Sequence, residues 1–356
     1  MSRLVRLAAR TTAASVGFWV ATAIAAAQIN AVPSQIRMTA IADSLDLPGP
    51  YSSAEAPILM QAGQTNPSFQ VAPGQVVTLF FTNVRLLSRA DGERATTLPL
   101  PTTLAGLSVS IQDDHGKHQA PLFWVLQYPL CQLKRTPDCM ITEIRVQIPF
   151  DTFQGAQAAS LVLNDNGVDS QEYLLYPRLD VIHVLTTCET AAFPPCSGIV
   201  THPDGSLVSY RSPARAGEAV TIYAVGLGRT VPTVKSGEPT PLPAPILRNT
   251  LSLRFDFRPN AMPSFPTIDG DAPPEAISRP IFAGLTPGQV GLYQVNLRIP
   301  DDIPRVSACD GGVIDSYVQS NLTISIGGVS FQSFDGAAIC VEPQQAPTMG
   351  NTEMPD

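Results

Sequence analysis

Gly74-Gln-Val-Val-Thr-Leu-Phe-Phe-Thr-Asn-Val84 returns 143 residues later as Gly217-Glu-Ala-Val-Thr-Ile-Tyr-Ala-Val-Gly-Leu227. Each stretch opens on a turn, Pro73-Gly74 or Ala216-Gly217, and runs on through β-branched and aromatic residues. That is a turn-then-strand unit. Its recurrence at one large offset reads as a duplicated domain, because solenoid repeats have far shorter periods.

The flanking sequence repeats in the same order. Leu107-Ser-Val-Ser-Ile111 corresponds to Leu251-Ser-Leu-Arg-Phe255, and Pro121-Leu-Phe-Trp-Val125 to Pro280-Ile-Phe-Ala-Gly284. Ile141-Thr-Glu-Ile-Arg-Val-Gln-Ile-Pro149 corresponds to Leu292-Tyr-Gln-Val-Asn-Leu-Arg-Ile-Pro300, with apolar and polar residues alternating as in a strand with one buried face. Ala159-Ser-Leu-Val-Leu163 and Ser320-Asn-Leu-Thr-Ile-Ser-Ile326 add late strands. About seven short strands per unit predict an all-β chain of two tandem immunoglobulin-like β-sandwiches. The expected organisation is a signal peptide at 1–27, a flexible leader at 28–55 and a first module at 56–185. A disulfide-stapled connector at 186–205, a second module at 206–342 and a disordered tail at 343–356 complete it.

The signal peptide is read from Arg3, Arg6 and Arg10, an uncharged run from Thr11 to Ala27, and the small-residue exit Ala25-Ala26-Ala27. Later stretches are too short or too polar to span a bilayer, so stable membrane insertion is not expected after cleavage. Secretion or residence in a cell envelope is expected. Loss of those three arginines takes the formal charge from −8 to −11. An acidic chain with scattered Lys and Arg is a poor partner for nucleic acid or anionic lipid. An even set of six cysteines in an exported chain reads as disulfides. Order and loop length favour Cys131–Cys139, Cys188–Cys196 and Cys309–Cys340 over the other connectivities. The spacings are too wide for a compact zinc knuckle.

Thr65-Asn-Pro-Ser-Phe-Gln-Val-Ala-Pro-Gly-Gln-Val-Val-Thr-Leu-Phe-Phe81, Gly217 to Gly228 and Phe282-Ala-Gly-Leu-Thr-Pro-Gly-Gln-Val-Gly-Leu-Tyr-Gln-Val-Asn296 resemble the Solibacter-type uncharacterised C-terminal domain of exported bacterial proteins. The resemblance covers residues 58–328. It implies export and tandem modules similar to IPT/TIG domains. The family has no established activity, so no catalytic residue carries over. The first half departs from the pattern where Asn83 and Arg85 stand against Gly226 and Gly228, and where Cys131 to Cys139 forms an insertion.

Candidate chemistry is sparse. Asp113-Asp-His-Gly-Lys-His118 gathers metal-ligating groups but lies between two strand patterns, where turn residues are expected anyway. Asn164-Asp-Asn-Gly-Val-Asp169 resembles a calcium loop, yet its Gly167 stands fourth instead of sixth, and Asn-Gly between strands is a hairpin signal. His183 and His202 have no motif around them. Gly226-Leu-Gly228 ends a strand with no helix after it, so it reads as a bend and not a phosphate loop. Neither Gly-x-Ser-x-Gly nor Ser-x-x-Lys occurs in a strand–turn–helix setting, and Asp301-Asp302 does not make a glycosidase pair. Trp124 and Tyr128 are either core residues or a flat surface for stacking on a sugar or a protein partner. Asn321-Leu-Thr323 is a glycosylation sequon. The expectation is a non-enzymatic interaction or structural module, without cofactor or metal, that binds an unknown protein or glycan. The alternative is a polysaccharide-active or other secreted hydrolase, or its accessory domain.

Overall fold

The structure, a computed structural model, describes residues 36–42, 58–59, 69–88, 92–131, 135–155, 158–187, 197–266, 277–310, 318–329 and 333–343. The first half carries β1 (Arg37–Ala42), β2 (Ile58–Leu59), β3 (Phe69–Val71), β4 (Val76–Thr82), β5 (Glu93–Arg94) and β6 (Leu107–Asp113). It continues with β7 (Gly116–Gln119), β8 (Leu122–Pro129), β9 (Met140–Gln147), β10 (Ala159–Asp165), β11 (Val168–Asp169) and β12 (Tyr173–Pro177). The second half carries β13 (His183–Val184), β14 (Val200–Thr201), β15 (Ala219–Val225), β16 (Thr230–Val231), β17 (Ile246–Leu247) and β18 (Ser252–Asp256). It ends with β19 (Ile277–Ser278), β20 (Phe282–Leu285), β21 (Tyr293–Arg298), β22 (Leu322–Gly327) and β23 (Phe334–Ile339).

Two sheets form each half. In the first they run β2-β1-β4-β9-β8-β5 and β3-β12-β10-β6-β7. In the second they run β13-β15-β21-β20-β17-β16, with β14 also on β15, and β19-β18-β22-β23. Alternation sends Val77, Leu79 and Phe81 of β4 inward against Leu107, Val109, Ile111, Leu161 and Leu163 of the facing sheet. Val220, Ile222 and Ala224 of β15 meet Leu253, Leu322, Ile324 and Ile326 in the same way. The chain is an all-β sandwich protein, and each inner face is stabilised by burying apolar side chains at about 25 cal/mol per Å².

The two halves share their hydrogen bonds as well as their pattern. The amide of Gly74 donates to Ile148 O at 2.9 Å, and that of Gly217 to Ile299 O at 3.1 Å. Gln75 Oε1 accepts the amide of Ala72 at 2.7 Å, and Glu218 Oε2 accepts that of Arg215 at 2.8 Å. Val71 pairs in parallel with Pro177, and Ala214 with Val341. Asn83 takes φ 61°, the left-handed conformation that Gly226 takes at φ 75°. Asparagine tolerates this region better than other side chains.

The structure corrects two expected boundaries. Residues 37–42, placed in a flexible leader, form β1 and pair with β4 from Arg37↔Thr82 to Ala42↔Thr78. Ile36 and Met38 are buried, so this strand is held by apolar contact as well as by the ladder. The rest of the leader, the signal peptide and all of the expected tail except Pro343 lie outside the described residues. His183 and Val184, expected at the end of the first module, and Val200 and Thr201 of the expected connector belong instead to the second half's edge. His183 pairs with Val225 and Val200 with Ile222, so β13 and β14 lie end to end along β15, the position β1 holds on β4.

Cys131–Cys139 and Cys309–Cys340 are disulfides, with Cα atoms 5.2 and 6.0 Å apart. Cys188 and Cys196 lie outside the described residues. No helix among the described residues is long and apolar enough to cross a membrane.

Candidate functional site

The two sandwiches meet where the chain leaves β9. Phe150 belongs to the second core, packed with Val234 and its neighbours, although it follows a strand of the first half. Its amide donates to Ser236 Oγ at 2.9 Å. The guanidinium of Arg229 donates to the carbonyls of Phe150 and Thr152. Gly237 donates to Gln147 Oε1 at 2.7 Å and accepts from the amide of Leu100 at 2.8 Å. A loop of the second half is therefore tied to two segments of the first, around Leu100 and from Gln147 to Phe150.

The covalent link between the halves is clamped too. The amide of Val181 donates to Gly226 O at 2.8 Å. A methyl group on Gly226 would stand 1.8 Å from Val181 O, and one on Gly228 2.1 Å from Leu179 O. The Gly-Leu-Gly stretch leaves room for the linker to cross it; no phosphate loop is formed.

Beside this junction lies a cleft of about 520 Å³, with β7, Pro149–Asp151 and Thr233–Ser236 as its walls. His118 reaches Asp151 Oδ2 through Nδ1 at 3.2 Å and Asp113 Oδ1 through Nε2 at 3.4 Å. The carboxyl of Asp113 is fully enclosed. Burial pushes it up, but the amides of Phe153 and His115 donate to it and His118 stands beside it, which together hold it below the usual carboxylate range. Asp113 thus fastens the β6–β7 hairpin to the segment that carries Phe150. Asp113, Asp114 and His115 could together approach a cation, but Asp113 already accepts from protein donors on both oxygens.

The other sequence candidates lie elsewhere. Trp124 and Tyr128 sit on the outer face of the first sheet, outside the apolar core. Trp124 Nε1 donates to Glu143 Oε1 at 2.8 Å, and the guanidiniums of Arg145 and Arg94 lie 3.9 and 5.4 Å from its ring. Glu143 and Arg145 are 5% and 1% exposed, so this outward face is as dry as a core. Burial pushes the Glu143 carboxyl up against the pull of Trp124 and Arg145, and raises the Tyr128 hydroxyl, which faces the same carboxylate. Sequence reading missed Glu143 and Arg145 because alternating polar residues in a strand look solvent-facing. The one signal available was an aromatic-rich strand beside them.

Asn164 to Asp169 closes the β10–β11 hairpin, with Asn166 and Gly167 at φ 48° and 91°. The side chains of Asn164 and Asp169 bond each other at 2.6 Å, and Asp165 is buried against Arg85. His202 is held by Glu218 Oε1 at 2.6 Å and the carbonyl of Ser212 at 3.1 Å. His183 lies 3.3 Å from Asp335. Asn321 is fully buried: its amide donates to the carbonyls of Ser307 and Val341, so the sequon is a packing device in the folded chain.

Comparison with protein-family models and with curated proteins finds no match.

Proposed function

We propose that this chain is an exported, non-enzymatic interaction module that presents the cleft between its sandwiches to a protein or glycan partner. The observation that carries this reading is how its reactive-looking groups are used. His118 bonds Asp151 through Nδ1 and stands 3.4 Å from Asp113, and His202 lies between Glu218 and Ser212, so both imidazoles help to hold loops. Glu143, whose carboxyl is pushed up by burial, lies beneath Trp124 on a different sheet from Asp113. Two acids facing across a groove, as a glycosidase needs, are not what these residues make. The cleft, in contrast, is of ligand-binding size and is framed by a junction held through several independent contacts. The resemblance to the Solibacter-type family, the N-terminal layout and the two disulfides support export.

The test is saturable binding. Protein lacking residues 1–27 is presented to a glycan array and used in pull-downs from envelope extract. A partner retained with defined stoichiometry is the expected result. Hydrolase activity in the purified protein, abolished by one substitution, overturns the proposal.

A further inference from the structure

The cleft contains an open sheet edge. Among the described residues β7 pairs only with β6, and its other side borders the cleft. The amide of Ala120 donates to Val109 O at 2.9 Å, and the register runs Ile111↔His118 and Asp113↔Gly116. In an antiparallel pair, inward-bonding residues alternate with outward-facing ones. Gly116, His118 and Ala120 therefore bond β6, whereas Lys117 and Gln119 turn their N–H and C=O groups toward the cleft. Among the described residues no hydrogen bond reaches those four groups.

An exposed row of this kind is a template for a further strand unless it is blocked. β7 is short and carries Lys117, which discourage indiscriminate pairing, but it contains no proline and its ladder to β6 has no bulge, so its backbone groups stay in strand register. Thr233–Ser236 line the same cleft, so the edge, with Lys117 and Gln119 exposed, borders a slot-like groove with a second wall. Lys117 and Lys235 flank the slot from either side. Lys117 has no ion-pair partner among the described residues. Of the carboxylates beside the slot, Asp151 is held by His118, and Glu238 lies 3.7 Å from Lys235.

We propose that the slot accepts an extended, acidic peptide segment of a partner protein as an added strand on β7. Main-chain bonds to Lys117 and Gln119 would supply affinity, and the lysines would select acidic side chains. This deepens the interaction-module reading and rests on it. A second copy of the chain is the competing occupant, and the charge of the slot argues against it because the chain is itself acidic.

The test uses the protein lacking residues 1–27 and three capped peptides: a Val-Glu hexapeptide, its Val-Lys counterpart, and the Val-Glu peptide N-methylated at alternate residues. The first is expected to bind and to protect the amides of Lys117 and Gln119 from hydrogen exchange. The second binds more weakly, and the third not at all. K117P removes an outward donor without touching the β6 ladder, and weakens binding about tenfold. Equal binding of the N-methylated peptide to the wild-type protein overturns the proposal whatever the variant does. So does concentration-dependent protection of these amides without peptide, which would place a second copy in the slot. If a pull-down or glycan partner is found and K117P leaves it unaffected, the strand-addition site fails while the interaction reading stands.

Discussion

The guanidinium of Arg145 lies 3.9 Å from the ring centroid of Trp124, on the outer face of a sheet and yet closed off from water. The register places Trp124 directly beside Arg145, and the indole N–H crosses to Glu143 on the same strand. One aromatic side chain therefore shields two opposite charges and satisfies one of them. A cation held against a ring is favoured more as water is removed.

Trp124→Ala is expected to cost about 2–4 kcal/mol, because it uncovers Arg145 and takes the indole donor away from Glu143. Trp124→Phe should cost less, about 1–2 kcal/mol, since it loses the N–H and part of the ring but keeps an aromatic face for Arg145. Urea unfolding measures both. Trp19 and Trp124 are the two tryptophans of the chain, so both variants of protein lacking residues 1–27 have no tryptophan and are followed by circular dichroism. A loss below about 0.5 kcal/mol for the alanine variant would contradict the packing described.

Asp113 sets part of the acid response. Its folded pKa lies below 3.8, so its contribution is fully present above that value and is lost as pH falls through the folded value. Asp113→Asn keeps the shape but removes the charge. It should cost about 1–3 kcal/mol at neutral pH and flatten the acid limb of the stability profile. An unchanged acid midpoint would remove Asp113 from this role.

His202 behaves with the opposite sign. Burial lowers its pKa, but Glu218, the carbonyl of Ser212 and the charge of Asp204 together raise it above 6.5. The stabilisation it provides is complete below 6.5 and disappears as pH rises through the folded value. Imidazole titration by NMR should find a raised value in the native chain and a lower one in Glu218→Gln. A titration that the Glu218→Gln variant leaves in place would show that the pair does not set it.

Phe150 couples the two sandwiches, since it leaves one and fills the other. Calorimetry of the native chain should show one cooperative transition. Phe150→Ala, at a cost of about 3–5 kcal/mol, should separate it into two. Two resolved transitions in the native protein would mean the seam is too weak to couple the halves.

Gly226→Ala brings a methyl group to 1.8 Å from Val181 O at a backbone φ of +75°. Both strain and clash oppose it, and a loss of more than about 2 kcal/mol is expected. Asn83→Ala tests the equivalent left-handed position in the first sandwich, where there is strain without the linker clash, and should cost about 1 kcal/mol. Equal losses at the two sites would show that the linker does not press on Gly226.

What the sequence by itself determined is the alternation of Val77, Leu79 and Phe81 and its echo in Val220, Ile222 and Ala224. Period-two burial and turn glycines are local properties, so all-β sandwiches and the Asn166-Gly167 hairpin were legible from residues alone. So were Cys131–Cys139 and Cys309–Cys340, which follow chain order. Only the tertiary structure decided that Arg37–Ala42 is a strand, because its pairing with β4 spans a long intervening segment. Nor could sequence place Phe150 in the second core, or seal Glu143 and Arg145 under Trp124. The open edge of β7 was equally invisible, since whether a strand has a second neighbour depends on where the other half of the chain comes to rest. Burial of a polar side chain and vacancy of a backbone edge are set by what packs from a distance, and no local pattern of residues records them.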